Sequence, residues 1–364
     1  MRIEAMEIYP ITMTLRSPIP MSNGVIEKTG NVLVKLVTND GLVGWGEGVE
    51  APALTHQRQA DIVTDLETLR SKVVRADPLR RTELWGLLNS DPAVDSTAVG
   101  AIDIAVHDLV GRSLGIPVHQ LIGGAVRDRI PALTLVGSGD GSADVEKLTE
   151  KHAQGFRWFK IKLGMADAAI ELETLAKAAE LAGEDGVVCG DVNEGWNEDE
   201  AKAFLNQLDG RNVRFIEQPV DRADREALLR LAATSPVTLC ADESAGSLEA
   251  VIGFVGTAVG GVSLKLIKHG GITGVMRGAA ICSAGGLEVN LAGKVIESSI
   301  SAAANLHCAA AMDRIDFGCS PANQGVLLDV SENPIALDNG VFTVPTGPGL
   351  GVEVDEAMVR SLAS

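Results

Sequence analysis

The sequence predicts an α/β protein: a modified (β/α)7-8 barrel of the TIM type beside a smaller α+β domain. Three observations predict it. From about Arg129 onward, short apolar runs alternate with Ala-, Leu- and Glu-rich helical stretches, the signature of parallel βαβ units. Five successive runs each carry a charged residue near their end: Lys162 in FKIK, Asp191 in VVCGD, Glu217 in VRFIE, Asp242 in VTLCAD and Lys265 in GGVSLK. The spacings between those residues are 29, 26, 25 and 23 positions, the length of one strand, one helix and two loops in such a barrel. An open doubly wound sheet shares the alternation, but only some of its strand ends meet at the ligand crevice. A closed barrel brings all of them to one mouth.

In chain order, MRIEAMEIYPITM alternates like a strand, and NVLVKLVTNDGLVGWGEG reads as two strands joined at Asn39-Asp40-Gly41, a strong hairpin signal. Between them SPIPMSNGVIEKTG (residues 17–30) is rich in Pro, Gly and Ser, the composition of a mobile loop. Residues 56–88 show helical spacing of apolar positions, and a further helix runs from about Asp95 to Leu114, stopped by Gly115-Ile116-Pro117. The barrel then alternates FKIKL, AAIELETLAKAAELAG, GVVCGDV, a helix over 197–210, VRFIEQP, DREALLRLAAT and VTLCADES, with a later strand in GLEVNLAG that ends near Ala292. These strands are apolar almost throughout, as strands covered on both faces are.

Composition excludes several classes of function. The chain has 364 residues, 46% of them hydrophobic, and a net charge of −18. That charge argues against binding nucleic acid or an anionic membrane surface. No apolar run approaches the roughly 18 residues of a membrane span, and the N-terminus, with Glu4 and Glu7, lacks a signal-peptide apolar core. The five cysteines are far apart and form no CxxC pair, which points to reduced, buried thiols and a cytoplasmic protein.

The candidate chemistry lies at the strand ends. Asp191, Glu217 and Asp242 come from three successive strands, and three carboxylates at one rim do not all ionise cheaply without a cation. A hard, oxygen-preferring divalent ion, Mg²⁺ or Mn²⁺, resolves this. Lys162 precedes the trio by one strand and Lys265 follows it by one, which sets the two amines nearly opposite each other in a barrel of eight. A small carboxylate held between them would present its α-carbon to both. Burial and a neighbouring cation lower a lysine pKa toward neutrality, so that it serves as a base. In FKIKLG the lysines alternate with apolar residues, placing Lys160 on the same face as Lys162. Lys268, in the same LKLIKHGG run as Lys265, reads as a loop residue.

FKIKLG, DVNEGW, IEQP, ADES and LKLIKHGG occur in this order. Together they resemble the enolase superfamily, within it the mandelate racemase/muconate lactonizing enzyme family, whose muconate-lactonizing subgroup carries a KxK motif. The resemblance extends to WGEG near Trp45, to AIDIAVHDLVGRSLGIPVHQLIGG and to GPGLGVEVD. It implies Mg²⁺ bound by Asp191, Glu217 and Asp242, Lys162 and Lys265 as the acid/base pair, Lys160 near the substrate carboxylate or tuning Lys162, and Asn193 supporting the metal. It also implies a capping domain formed by residues 1–125 and a C-terminal segment 326–364 around a barrel of 126–325, with the 15–30 loop closing over the mouth, and a homo-oligomer, dimer or octamer. The sequence departs from the pattern at NLAGKVIESSIS and at IDFGCSPANQG, which has neither a DxD nor the glutamate of cycloisomerases. Lys294 and Glu297 are extra charged groups at that rim, in reach of a substrate. The expected reaction is an isomerisation through an enolate, either cycloisomerisation or racemisation and epimerisation of an amino-acid derivative. Alternatives are a dehydratase of a hydroxy acid or hydroxyproline on the same scaffold, a metal-free Schiff-base aldolase, and a phosphate-binding barrel using His269-Gly270-Gly271.

Overall fold

The computed structural model describes residues 1–21 and 24–363. The chain opens with an antiparallel sheet in the order β1–β2–β3, formed by β1 (Ile3–Met21), β2 (Gly24–Thr38) and β3 (Val43–Val49). The β2–β3 turn falls where the sequence puts it: the Gly41 N–H donates to the Thr38 carbonyl at 2.9 Å. Residues 17–30 differ from the expected loop. They extend the β1–β2 hairpin, pairing Ile19 with Ile26, while residues 22 and 23 lie outside the described residues. A register shift between Thr14 and Ile19 takes up the Pro18 region, and β1 is an edge strand, where proline costs no ladder bond. Beyond the shift, the partly buried Ile19 and Ile26 pack on the barrel's apolar cluster, and this contact together with the ladder holds the segment extended.

Three helices cover the sheet: α1 (Gln59–Val73), α2 (Arg81–Leu88) and α3 (Ser96–Leu114). The helical pattern over 56–88 is therefore two helices, divided around Pro78. Asp95 caps α3 by accepting the Thr97 N–H at 2.8 Å, and Gly115 closes it in the left-handed conformation. Val34, Leu36, Leu66 and Ala105 are fully buried between sheet and helices. The close approach of α3 to the sheet needs Gly46, where a Cβ would lie 1.9 Å from the Ala101 carbonyl oxygen.

After α4 (Val118–Leu121) and β4 (Arg129–Pro131) come eight parallel strands: β5 (Leu133–Val136), β6 (Trp158–Lys162), β7 (Val187–Asp191), β8 (Phe215–Glu217), β9 (Thr238–Ala241), β10 (Gly261–Leu264), β11 (Glu288–Ala292) and β12 (Gly318–Ser320). They pair in sequence order, and a parallel bridge between Ala132 and Cys319 joins last to first. Helices α5 (Gly141–Ala153), α6 (Ala168–Ala182), α7 (Glu198–Leu205), α8 (Arg225–Thr234), α9 (Leu248–Phe254), α10 (Leu266–His269), α11 (Gly271–Gly285) and α12 (Ser299–Ala311) follow the first seven strands. Directly after β12 the chain makes a 3₁₀ turn, Asn323–Gly325, in place of a barrel helix. Leu133, Cys189, Phe215, Cys240 and Phe317 plug the barrel floor, with the rings of Phe215 and Phe317 stacked at 4.0 Å. All five cysteines are buried and free.

The C-terminal segment returns to both parts. Strands β13 (Leu337–Asp338) and β14 (Val341–Thr343) form a sheet with β4. Helix α13 (Glu356–Leu362) reaches the N-terminal sheet, where Glu356 accepts Lys35 Nζ at 2.7 Å and Ala363 bridges Ile11. Two buried acids tie the N-terminal region to the barrel. Asp103 of α3 accepts the Thr273 N–H at 2.9 Å and its hydroxyl at 2.7 Å, capping α11. Glu47 of β3 accepts the Ser298 hydroxyl at 2.8 Å and the Ser298 and Ser301 N–H groups, capping α12. Each satisfies amides that a helix start leaves bare. Among the described residues no helix is long and apolar enough to cross a membrane.

Gly46→Ala should lower stability by about 1–3 kcal/mol, because helix and sheet must separate to admit the methyl group. Gly86→Ala in α2, where a Cβ meets nothing within 4 Å, should raise it by about 0.5–1 kcal/mol. Urea unfolding of both variants checks the contrast.

Candidate active site

Parallel register brings the predicted residues together. Lys162 pairs with Asp191 across β6–β7, and Asp191 with Glu217 across β7–β8, so these three stand at one level of the mouth. Lys160 pairs with Cys189, one level deeper. Asp242 follows β9 directly, and Lys265 follows β10. Strands β6 and β10 are four apart in the ring of eight, so Lys162 and Lys265 approach the mouth from opposite sides.

Each acid holds a lysine. Lys162 Nζ donates to Asp191 Oδ2 at 2.8 Å and to Asn193 Oδ1. Lys265 Nζ donates to Asp242 Oδ2 at 2.5 Å. Lys160 does not turn toward Lys162: its ammonium is on Glu217 Oε2. Lys268 is not a loop residue. It is buried on α10 and donates to Asp242 Oδ1 at 2.6 Å, to the Asp242 carbonyl at 2.6 Å and to the Ser263 carbonyl at 2.8 Å.

These pairings set the electrostatics. Burial alone would raise Asp242, but Lys265 and Lys268 outweigh it and hold the carboxyl well below the usual range. Asp191 is lowered likewise, its burial outweighed by Lys162 and Lys160. The lysines follow the reverse logic. Burial depresses Lys265, yet Asp242, Glu217 and Glu243 hold it above its ordinary value. Lys160 is raised in the same way, chiefly by Glu217 against its burial. The expected lowering of Lys265 toward neutrality is thus reversed, because its partner is an anion rather than a second cation. Two other lysines are lowered. Burial, with Lys265 beside it, pushes Lys268 down. Burial, with Lys265 and Lys162 nearby, pushes Lys294 down to about 8.

Several residues that shape the mouth escaped sequence reasoning. Ser263 donates to Glu217 Oε1 at 2.5 Å, and Asn290 donates to Ser263 Oγ at 2.8 Å. Gln218 Oε1 accepts the N–H groups of Asp242 and Ser244, fixing the β9 end. Glu243 accepts Asn193 Nδ2 at 3.1 Å, and burial followed by Asp242 raises it to about 7. Glu243 had a signal, an acid adjacent to a predicted ligand in ADES. The others are ordinary polar residues whose inward phase only the barrel reveals. Asn193, Glu194 and Gln218 have positive φ, strain concentrated where the loops leave the site. Glu297 lies behind the rim. It accepts the Ala322 N–H at 2.9 Å and the Lys294 N–H at 3.1 Å, and burial pushes it up to about 8. The His269-Gly270-Gly271 turn is covered: Trp85 Nε1 donates to the Gly270 carbonyl at 2.8 Å, and Asp103 already occupies the start of α11. The Asp103 carboxylate at the start of α11 disfavours an anion there.

Among the described residues, no three His, Cys, Asp or Glu side chains stand close enough to form a ready-made metal cluster; each predicted ligand is turned to a lysine instead. The donor set nevertheless suits a hard divalent ion. Asp191, Glu217 and Asp242 offer only oxygen, Asp191 and Asp242 lie within electrostatic range of each other, and Glu243 Oε2 is buried without a hydrogen-bond partner among the described residues.

The mandelate racemase / muconate lactonizing enzyme N-terminal domain family matches residues 3–123, and the enolase C-terminal domain-like family matches residues 143–358. A chloromuconate cycloisomerase of Pseudomonas putida is 33% identical over 99% of this chain and 98% of its own length. The crystal structure of the muconate lactonizing enzyme of Pseudomonas fluorescens, complexed with muconolactone, superposes with a TM-score of 0.93 at 26% identity, covering 100% of this chain and 99% of that one. The N-succinyl Arg/Lys racemase of Bacillus cereus superposes with a TM-score of 0.92 at 27% identity, covering 100% and 98%.

Lys268→Met should cost about 2–4 kcal/mol, because it leaves Asp242 with Lys265 alone and strips the buried Asp242 and Ser263 carbonyls of their donor. Lys265→Met should cost less than half as much, since Lys268 still neutralises Asp242. Chemical denaturation of the two variants tests the order.

Proposed function

We propose that this chain, which belongs to the mandelate racemase / muconate lactonizing enzyme family of the enolase superfamily, is a divalent-metal-dependent isomerase that removes the α-proton of a small carboxylate. The observation that carries the reading is the pair Lys162 and Lys265, set on opposite sides of a mouth that carries three carboxylates between them. Asp191, Glu217 and Asp242 would hold Mg²⁺, or Mn²⁺; when bound, the ion stabilises the negative charge of the enolate.

The chain's own residues supply the rest. Lys162 Nζ, steered by Asn193, removes or returns a proton on one face of the α-carbon. Lys265 Nζ does so on the other. For either to act as a base its carboxylate partner must be engaged elsewhere, since that partner holds Lys265 protonated here. Proton removal on one face and return on the other is racemisation; addition of a second group to a double bond of the same molecule, with a single lysine handling the proton, is cycloisomerisation. Relatives of both kinds support an isomerase, and the dehydratase alternative draws no support from them. The three carboxylates beside the lysines speak against a metal-free Schiff-base aldolase. Lys160 acts through Glu217, Asn193 through Lys162, and the β1–β2 hairpin forms part of the mouth's cover. We further propose the division into a cap of residues 1–125 and 326–364 around a barrel of 126–325. A cytoplasmic homo-oligomer acting on a free small molecule fits the unpaired cysteines and the acidic surface.

Incubated in D₂O with Mg²⁺ and a panel of muconates, N-acylamino acids, dipeptides and hydroxyprolines, the protein should incorporate deuterium at the α-carbon of one class. Lys162→Ala and Lys265→Ala should each reduce turnover by about 10²- to 10⁴-fold with the fold intact by circular dichroism. Chelation should abolish exchange and Mg²⁺ restore it, and Asp191→Asn should raise the Mg²⁺ concentration required. Full exchange in chelator, or borohydride trapping of a substrate adduct, would overturn the reading.

A further inference from the structure

Residues 51–58 lie between β3 and α1, and both ends of the segment are fixed to the N-terminal sheet. Glu50 accepts the Gly30 N–H at 2.8 Å and the Gln59 N–H at 3.1 Å. Gln59 Nε2 donates to the Ile11 and Asn31 carbonyls. The middle of the segment leaves the sheet and reaches the rim of the barrel. There Leu54 packs against Val49, Ala51 and Ile267, and Ile267 stands in the chain between Lys265 and Lys268. The segment is tightly folded. Ala51 donates its N–H to the Gln57 carbonyl at 3.1 Å, and His56 has a φ of 62°, a conformation that persists only where its surroundings impose it.

One barrel residue holds the centre. Arg222, in the loop after β8, donates from Nη2 to the Ala53 carbonyl at 2.7 Å and from Nη1 to the Leu54 carbonyl at 3.1 Å. Among the described residues these are the segment's only hydrogen bonds to the barrel. The same guanidinium grips Glu194, with Nε on Oε1 at 2.8 Å and Nη2 on Oε2 at 2.6 Å. The Arg222 N–H adds a third bond, to Glu194 Oε1 at 2.7 Å. Only a planar, forked cation serves a carboxylate and two carbonyls together. Glu194 adjoins Asn193, whose Oδ1 accepts Lys162 Nζ. Asn193 and Glu194 have φ values of 47° and 67°, so this loop also needs to be held from outside. A half-exposed ion pair adds little to stability by itself. This one joins three separate stretches of chain and ends on Lys162.

We propose that Arg222 is a positioning residue. It clasps Ala53 and Leu54 of the N-terminal region to Glu194, so that the seating of residues 51–58 and the placement of Asn193 and Lys162 are set together. The part played by Lys162 rests on the reading of the mouth given above; the mechanical link does not.

Hydrogen exchange of the full-length protein tests the link with Leu54→Ala, Arg222→Ala and the double variant. Leu54→Ala trims the packing on Ile267 and keeps the backbone carbonyl that Arg222 binds. In the wild-type background it should speed exchange of the amides of residues 194–196 by about three- to tenfold. Arg222→Ala should speed them by about tenfold, and adding Leu54→Ala to it should change them by less than about twofold. Unchanged exchange at 194–196 in Leu54→Ala, or the same acceleration with and without Arg222, overturns the clasp. Equal acceleration throughout α6 and β7 marks a general loosening and overturns it too. With the compound that exchanges its α-proton in D₂O, Arg222→Ala should lower kcat about tenfold and leave KM within about threefold. An unaltered kcat overturns the positioning role. Failure of every compound to exchange counts against the reading of the mouth, while the amide measurement still decides the clasp.

Discussion

Inside a closed parallel barrel, a charge that points inward has no bulk water to solvate it, so it must face an opposite charge. That constraint organises this molecule. Strand ends supply acids and amines in turn, and the register sets Lys162, Asp191 and Glu217 at one level. Below them Phe215, Phe317 and their apolar neighbours seal the floor. The pairing between lysines and acids is therefore what lets so many ionisable groups share one buried space, and it is also the arrangement that the proposed chemistry must disturb. A base held protonated by its own neighbour is latent until that neighbour is given another partner.

The same economy joins the two parts of the chain. The segments after β10 and β11 carry Lys265, Lys268, Lys294 and Glu297, and each leads into a helix whose first turn is satisfied from outside the barrel. Asp103 caps α11 and Glu47 caps α12, both from the N-terminal region. Helix starts attract carboxylates because their amides are bare and their dipole is positive. The covering region is thus bonded to the segments that deliver the lysines. Stability of the junction and geometry of the mouth depend on the same few hydrogen bonds.

Much was legible in the chain. The FKIK, VVCGD, VRFIE, VTLCAD and GGVSLK runs gave the barrel, because a strand followed by a helix has a nearly fixed length and each run carried its charge in the same phase. The Asn39–Gly41 turn, the cap at Asp95 and the stop at Gly115 were equally plain, since each depends on local backbone chemistry alone. Segment 17–30 was misjudged as a loop because its prolines and glycines are turn residues locally. An edge position and the packing of Ile19 and Ile26 override them, and both are long-range facts.

The sequence by itself determined the alternation of elements, the order of the ionisable residues around the ring, and hence that three acids and two amines share one mouth. Only the tertiary structure decided who pairs with whom. It set Lys160 on Glu217 rather than beside Lys162, drew Lys268 out of an expected loop onto Asp242, added Ser263, Asn290 and Glu243 to the site, and left Lys294 without a partner among the described residues. The physical reason is range. Backbone periodicity is written over a few neighbouring residues, whereas a side chain's charge is set by whatever lies within a few ångströms of it, here residues 23 to 57 positions away.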